Sequence, residues 1–66
     1  MDASIVERLK RAHTEHGDAV FTIFTLSGHV LSGRIAAIGG VIVLEAGKEQ
    51  AEVPQDRVEA FSLREP

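Results

Sequence analysis

Residues 21–35 of this chain read FTIFTLSGHVLSGRI, and this stretch contains most of the information about the fold. Its first half is rich in β-branched and aromatic residues, which is typical of a strand. Ser27-Gly28 is a turn signal, and a second apolar segment follows it. Gly33 lies in the middle of that second segment, where a glycine often marks a sharp bend or a close backbone approach. We therefore predict two strands joined by a tight turn, the second of them bent, over residues 19–27 and 29–38.

Three more short strands are predicted further along the chain. Glycine and proline favour turns, and they interrupt the apolar pattern at residues 39–40, 46–48 and 54–56. The intervening and following segments predict strands over 41–44, 50–53 and 58–63. A frayed tail is expected over 64–66.

The segment before the first strand predicts a helix over residues 4–16. Ser4 and Glu7 form a capping-box pattern, in which each side chain satisfies the other residue's free backbone N–H. Gly17 is a plausible end of the helix, because it tolerates the left-handed conformation found there. One face carries apolar residues at helical spacing: Ile5, Val6, Leu9 and Ala12.

One helix followed by five short strands predicts a mainly β fold with an N-terminal α-helix. The expected architecture is a small five-stranded, strongly bent open barrel that forms a single domain over residues 1–66. An open barrel leaves edge strands with unpaired N–H and C=O groups. Joining the edge of one subunit to the edge of the next pairs those groups, and repetition around an axis makes a ring.

Size and composition also favour self-association. A domain of 66 residues has a core that supplies only ~3–5 kcal/mol of net stability. The chain has no cysteine, which excludes disulfides and thiolate metal sites as extra sources of stability. A net charge of −3 argues against broad binding to phosphate backbones. Because no signal-peptide run and no membrane span is evident, we expect a cytoplasmic protein that does not engage a membrane.

Residues 21–35 resemble the first Sm motif, in which an alternating strand, a turn glycine and a second glycine five residues later precede an apolar residue. Gly28 and Gly33 have this spacing. The run 41–44 is similar to the third strand of bacterial Hfq, and 53–58 falls where Hfq has its second motif. The chain thus resembles the Sm-like (LSm) family, closest in pattern to Hfq. The resemblance implies an Sm-like, SH3-like barrel that forms a homo-oligomeric ring, typically a hexamer or heptamer.

The pore-side RNA motif of Hfq is missing from this chain. Hfq has an aromatic residue after the second strand and a Tyr-Lys-His motif in the last turn. Val41 offers no ring for base stacking, which is worth roughly 1–3 kcal/mol per base, and Asp56 repels phosphate. These departures argue against pore-side RNA binding. The divergent positions are Gly40, Val41, Pro54, Gln55 and Asp56.

The face opposite the pore-side motif, and the helix, resemble the family more closely than the pore side does. Phe24 corresponds to an Hfq aromatic that stacks adenine, His29 lies on the adjoining turn, and Ser32 occupies a polar position there. Lys10 and Arg11 resemble the basic rim at the end of the Hfq helix. The resemblance therefore implies RNA contacts at Phe24, His29, Ser32, Lys10 and Arg11.

Each of these residues also has an ordinary structural interpretation. Phe24 can pack in a subunit contact, His29 can be a solvated turn residue, and Lys10 with Arg11 can form a solvated helix face. Two hypotheses of function follow. The ring binds single-stranded RNA through a distal or lateral surface, or it is a protein-interaction or structural ring that has lost RNA binding.

Metal binding and catalysis have little support in the sequence. His13 and His16, three residues apart near the end of the helix with Glu15 or Asp18 nearby, suggest a zinc or nickel site. Two ligands do not make a site, however, so we predict no metal. No Ser, His and Asp set has a recognisable spacing. We expect a protein that is not an enzyme and has no cofactor.

Overall fold

The computed structural model describes residues 5–65, which form one helix and five strands. The predicted helix and all five predicted strands are present. Ser4 of the predicted capping box and Pro66 of the predicted tail lie outside the described residues. The elements are α1 (Ile5–Glu15), β1 (Val20–Thr25), β2 (Val30–Ile38), β3 (Val41–Ala46), β4 (Glu49–Pro54), a short 3₁₀ turn η1 (Gln55–Arg57) and β5 (Val58–Arg64).

Several boundaries differ from the prediction by one or two residues: the helix ends at Glu15 rather than at 16, β1 and β2 are shorter than predicted, and β3, β4 and β5 are longer. Contacts explain two of the differences. β1 ends at Thr25 rather than at residue 27, because the Thr25 Oγ1 atom accepts the backbone N–H of His29 and starts the turn early. The tail was predicted to fray over 64–66, and this is wrong for Arg64. Arg64 pairs with Val20 of β1 and is the last residue of β5. Glu65 then accepts a hydrogen bond of 2.8 Å at its Oε2 atom from His16 Nδ1.

The five strands form one antiparallel sheet in the order β4-β3-β2-β1-β5. β2 occupies the centre and serves both halves of the sheet. Its first part pairs with β1, from Phe24↔Val30 to Phe21↔Gly33. Its second part pairs with β3, beginning at Arg34↔Glu45. The sheet is not closed, because β4 and β5 each have only one neighbouring strand within residues 5–65.

Gly33 is the residue at which β2 passes from one half of the sheet to the other. A Cβ atom at this position would lie 2.5 Å from the carbonyl oxygen and 2.9 Å from the carbonyl carbon of Glu45. The backbones of β2 and β3 therefore approach more closely than any side chain allows. This confirms the close approach predicted from the sequence, and it explains why a glycine is needed there.

The core lies on the inner side of this bent sheet. β1 alternates strictly, with Phe21, Ile23 and Thr25 buried and Phe24 exposed. The helix covers the core by inserting Leu9, which has no exposed surface. Phe21, Leu9, Ile23, Ile42, Leu44 and Val53 are the largest fully buried side chains. The alternation assigns each residue of β1 either to the core or to the outer face, and so decides which residues can meet a ligand.

Candidate functional site

Phe24 lies on the outer face of the sheet, opposite the side on which Leu9 enters the core. The strand register places it between Val30 of β2 and Ala60 of β5. Phe24 is 37% exposed, whereas Val30 and Leu26 are 58% and 62% exposed. We call Phe24, Leu26 and Val30 the apolar platform. The platform presents an accessible aromatic ring with Val30 directly opposite it and the exposed Leu26 two residues further along the chain, which suits either a stacked base or an apolar protein group.

The turn between β1 and β2 is held by a chain of hydroxyl hydrogen bonds. The Thr25 Oγ1 atom accepts the N–H of His29 at 3.0 Å and lies 3.0 Å from Ser27 Oγ. Ser27 Oγ in turn lies 2.9 Å from His29 Nδ1. The imidazole is therefore oriented through Nδ1. Its Nε2 atom remains accessible to a ligand, since it has no hydrogen-bond partner within residues 5–65.

Arg57, which no sequence pattern indicated as a site residue, lies close to this turn. The N–H of Leu26 donates to the carbonyl oxygen of Arg57 at 2.9 Å, which brings η1 against the β1–β2 turn. A shallow depression of about 400 Å³ results, and His29, Glu52 and Arg57 contribute to its lining. The contact joins residues 31 positions apart in the chain, so no local pattern reveals it.

Ser32 lies on the same outer face as Phe24. Its Oγ atom is 3.0 Å from Thr22 Oγ1, the residue directly opposite it in the sheet. The polar position predicted at Ser32 is therefore exposed and belongs to a pair of hydroxyl groups that joins two strands.

Lys10 and Arg11 are exposed on α1, and we call this pair the helix rim. The helix turns Val6 and Leu9 towards the core, whereas Phe24 points away from it. The five predicted RNA contacts therefore do not share one surface. Phe24 and Ser32 lie on the outer face of the sheet, His29 lines the depression beside η1, and the helix rim lies on α1. The sequence could list these residues together but could not separate their surfaces.

The divergent family positions are brought together around the start of β3, the end of β4 and η1. Val41 pairs with Pro54 across β3 and β4. The backbone N–H of Gln55 donates to the Gly40 carbonyl at 3.3 Å, and the Gln55 Nε2 atom donates to the Gly39 carbonyl at 3.2 Å. The Gln55 amide is thereby used within the chain. The surface that remains contains the 38% exposed Val41 and the exposed Asp56, so it is apolar and acidic.

The two histidines of the helix end have different partners. The His13 ring lies edge-on to Phe21, with ring centroids 6.3 Å apart. The hydrogen bond from His16 to Glu65 ties the residue after the helix to the residue after β5. Over residues 5–65 no group of three or more His, Cys, Asp or Glu side chains is arranged to hold a metal ion.

The chain matches no family model, no curated protein and no solved structure with which it was compared. Within residues 5–65 no helix has both the length and the apolar character required to cross a membrane.

Proposed function

We propose that this chain assembles into an Sm-like homo-oligomeric ring that binds single-stranded RNA. The observation that carries the proposal is the open, bent, antiparallel sheet whose two edge strands, β4 and β5, have neighbours on one side only. An exposed strand edge is a template for pairing with another chain. A chain with two such edges on opposite sides of one bent sheet can join head to tail, and a fixed angle between copies closes the assembly.

Self-association also compensates for the small core. Within residues 5–65 the largest fully buried side chains are the six named above, which form a small core, and the sequence has no cysteine for a disulfide. Pairing β4 with β5 of the next copy satisfies backbone groups along both strands and buries their partly exposed apolar residues. Phe61 and Leu63 of β5 pack against the core cluster while retaining exposed surface. In a ring that surface would be covered by the neighbouring subunit.

RNA binding is supported by the outer face. Phe24 presents a partly exposed ring on a rigid strand, and stacking on such a ring contributes roughly 1–3 kcal/mol per base. Ser32 on the outer face and the oriented imidazole of His29 at the β1–β2 turn each supply a polar group for a base edge. The helix rim adds two cations on a second surface, where they can follow a phosphate backbone. Because the net charge of −3 repels phosphate overall, RNA is expected to bind only at such local surfaces.

A ring that binds a protein is the second candidate, and the apolar platform favours it. Leu26 and Val30 are more exposed than Phe24, and neither can hydrogen-bond a base. An exposed cluster of large apolar side chains is a common feature of protein contact surfaces. The two candidates share the same assembly and differ only in what covers the outer face.

Native mass spectrometry of the protein purified without nuclease tests both parts of the proposal. A single mass of six or seven subunits is expected, with additional mass that ribonuclease removes. The absence of Trp and Tyr makes co-purified RNA easy to recognise by ultraviolet absorbance. A ring without nuclease-sensitive mass would favour the protein-binding candidate, and a monomer would refute the assembly.

Phe24→Ala tests the stacking surface directly. We expect affinity for purine-rich RNA to fall by roughly 5- to 150-fold with the subunit number unchanged, because one stacked base is lost. Val41→Ala is the matched control, since Val41 is 38% exposed and Phe24 is 37% exposed, and Val41 lies on β3, which is not paired with β1. Equal affinities of both variants and the unsubstituted protein would remove Phe24 from the site.

A further inference from the structure

A row of three hydroxyl groups crosses the outer face of the sheet. Thr22 of β1 is directly opposite Ser32 of β2 on one side and Ser62 of β5 on the other. Directly opposite residues on one face have Cβ atoms about 4.5–5.5 Å apart. Three hydroxyl-bearing side chains therefore lie side by side across three strands.

Two arginines lie beside this row of hydroxyl groups. Arg34 follows Ser32 in β2, and Arg64 follows Ser62 in β5, each by two residues. Val20 of β1 is directly opposite Arg64 of β5. On the other side, Arg34 follows Ser32 by two residues, so strand alternation returns it to the face of Ser32. Each arginine lines a depression that Val20 also lines. Long side chains of this kind can converge over Val20 on a single ligand group.

Two depressions connect these residues. One, of about 270 Å³, is lined by Val20, Thr22, Ser32, Ser62, Leu63 and Arg64. The other, of about 510 Å³, is lined by Val20, Ser32, Gly33, Arg34, Glu45, Ala46 and Gly47. Both depressions include Val20 and Ser32. The surface is therefore continuous from one arginine to the other, with the hydroxyl row along its side.

The polar groups of this surface are available to a ligand. Within residues 5–65 neither Arg34 nor Arg64 forms an ion pair or a side-chain hydrogen bond. Thr22 Oγ1 and Ser32 Oγ lie 3.0 Å apart and share one hydrogen bond. Each hydroxyl carries one hydrogen, so the pair retains one O–H that can donate outwards. Ser62 supplies another.

We propose that this surface, the arginine–hydroxyl face (Thr22, Ser32, Arg34, Ser62 and Arg64), binds the phosphodiester backbone of single-stranded RNA. Guanidinium groups present planar forks that match phosphate oxygens in two hydrogen bonds. Serine and threonine hydroxyls donate to the same oxygens and fix the position of the strand. The inference rests on the proposed RNA-binding function and names a second contact region, adjacent to Phe24 and distinct from the helix rim.

Glu45 limits the charge of this face. It is directly opposite Arg34 in the sheet, and its Oε2 atom accepts a hydrogen bond from Gln50 Nε2 at 2.9 Å. A carboxylate beside the binding surface repels phosphate. Glu45→Gln should therefore strengthen binding of a phosphate backbone, whereas loss of either arginine should weaken it.

Binding of an abasic single-stranded phosphodiester oligomer tests the proposal, because such a probe cannot stack on Phe24. For single strands the logarithm of affinity falls with the logarithm of salt by ~0.7 per phosphate contact. Arg34→Gln and Arg64→Gln should each reduce this slope by about 0.7 and weaken binding about 5-fold at 0.1 M salt, and the double variant about 25-fold. Arg8→Gln, which removes the same charge from the exposed side of α1, is the matched control.

The outcomes separate the new site from the function on which it rests. Unchanged affinity and slope in the double arginine variant, with its subunit number preserved, would overturn the arginine–hydroxyl face. Ordinary RNA would then still bind through Phe24. If Arg64→Gln alters assembly, Arg34→Gln combined with Ser32→Ala carries the same test, since neither residue lies on an edge strand. An arginine effect as small as that of Arg8→Gln would also contradict the proposal.

Discussion

Gly33→Ala is the substitution for which the structure predicts the largest effect from the smallest change. The added Cβ atom would lie 2.5 Å from the Glu45 carbonyl oxygen, whereas ordinary contact begins at 3.4 Å. β2 and β3 must therefore separate by about 0.9 Å beside the pair Arg34↔Glu45. Overpacking of this kind costs about 1–3 kcal/mol, and a weakened hydrogen bond between the strands adds about 1 kcal/mol.

A total of about 2–4 kcal/mol is close to the whole net stability of a domain this small, ~3–5 kcal/mol. Urea unfolding followed by far-ultraviolet circular dichroism, at fixed protein concentration, measures the loss. Gly40→Ala is the control, because nothing lies within 4 Å of its added Cβ atom. That variant should be neutral or more stable by about 0.4–1 kcal/mol. A Gly33→Ala variant within about 0.5 kcal/mol of the unsubstituted protein would refute the reasoning.

Three further predictions concern the core, the turn and the helix rim. Phe21→Ala empties a fully buried site and should cost about 3–5 kcal/mol, so thermal unfolding should show little folded protein at any temperature. Thr25→Val keeps the shape but leaves the N–H of His29 without its acceptor; we expect a loss of about 1 kcal/mol in urea unfolding. Lys10→Ala combined with Arg11→Ala should reduce the salt slope of RNA binding by about 1.4, and an unchanged slope would exclude the helix rim.

The secondary structure could be predicted because local chemistry determines most of it. Strand alternation in β1 places Phe21 in the core and Phe24 on the outer face, and the sequence of the strand alone predicts this difference. The glycine at position 33 could be singled out because few other reasons place glycine within an apolar strand. Its partner, the backbone of Glu45, could not be named, since that contact depends on the register of β2 and β3.

The candidate site was predictable only in part, because its geometry depends on cross-strand register. Phe24, His29 and Ser32 were identified from a pattern within one short stretch. Arg57 and Arg64 come from distant segments, and only the pairing of β1 with β5 and the turn contact with η1 bring them to the surface near these residues. The sequence also assigned Arg64 to a frayed tail, which concealed its position at the end of a strand.

Amide hydrogen exchange shows directly whether β4 and β5 pair between copies of this chain. In an edge strand about half of the N–H groups point away from the sheet and exchange rapidly with solvent. The proposed assembly predicts slow exchange for those outward amides in both 49–54 and 58–64, comparable to exchange in 41–46. Rapid exchange along both edges, with protection confined to the inner strands, would contradict ring formation by strand pairing.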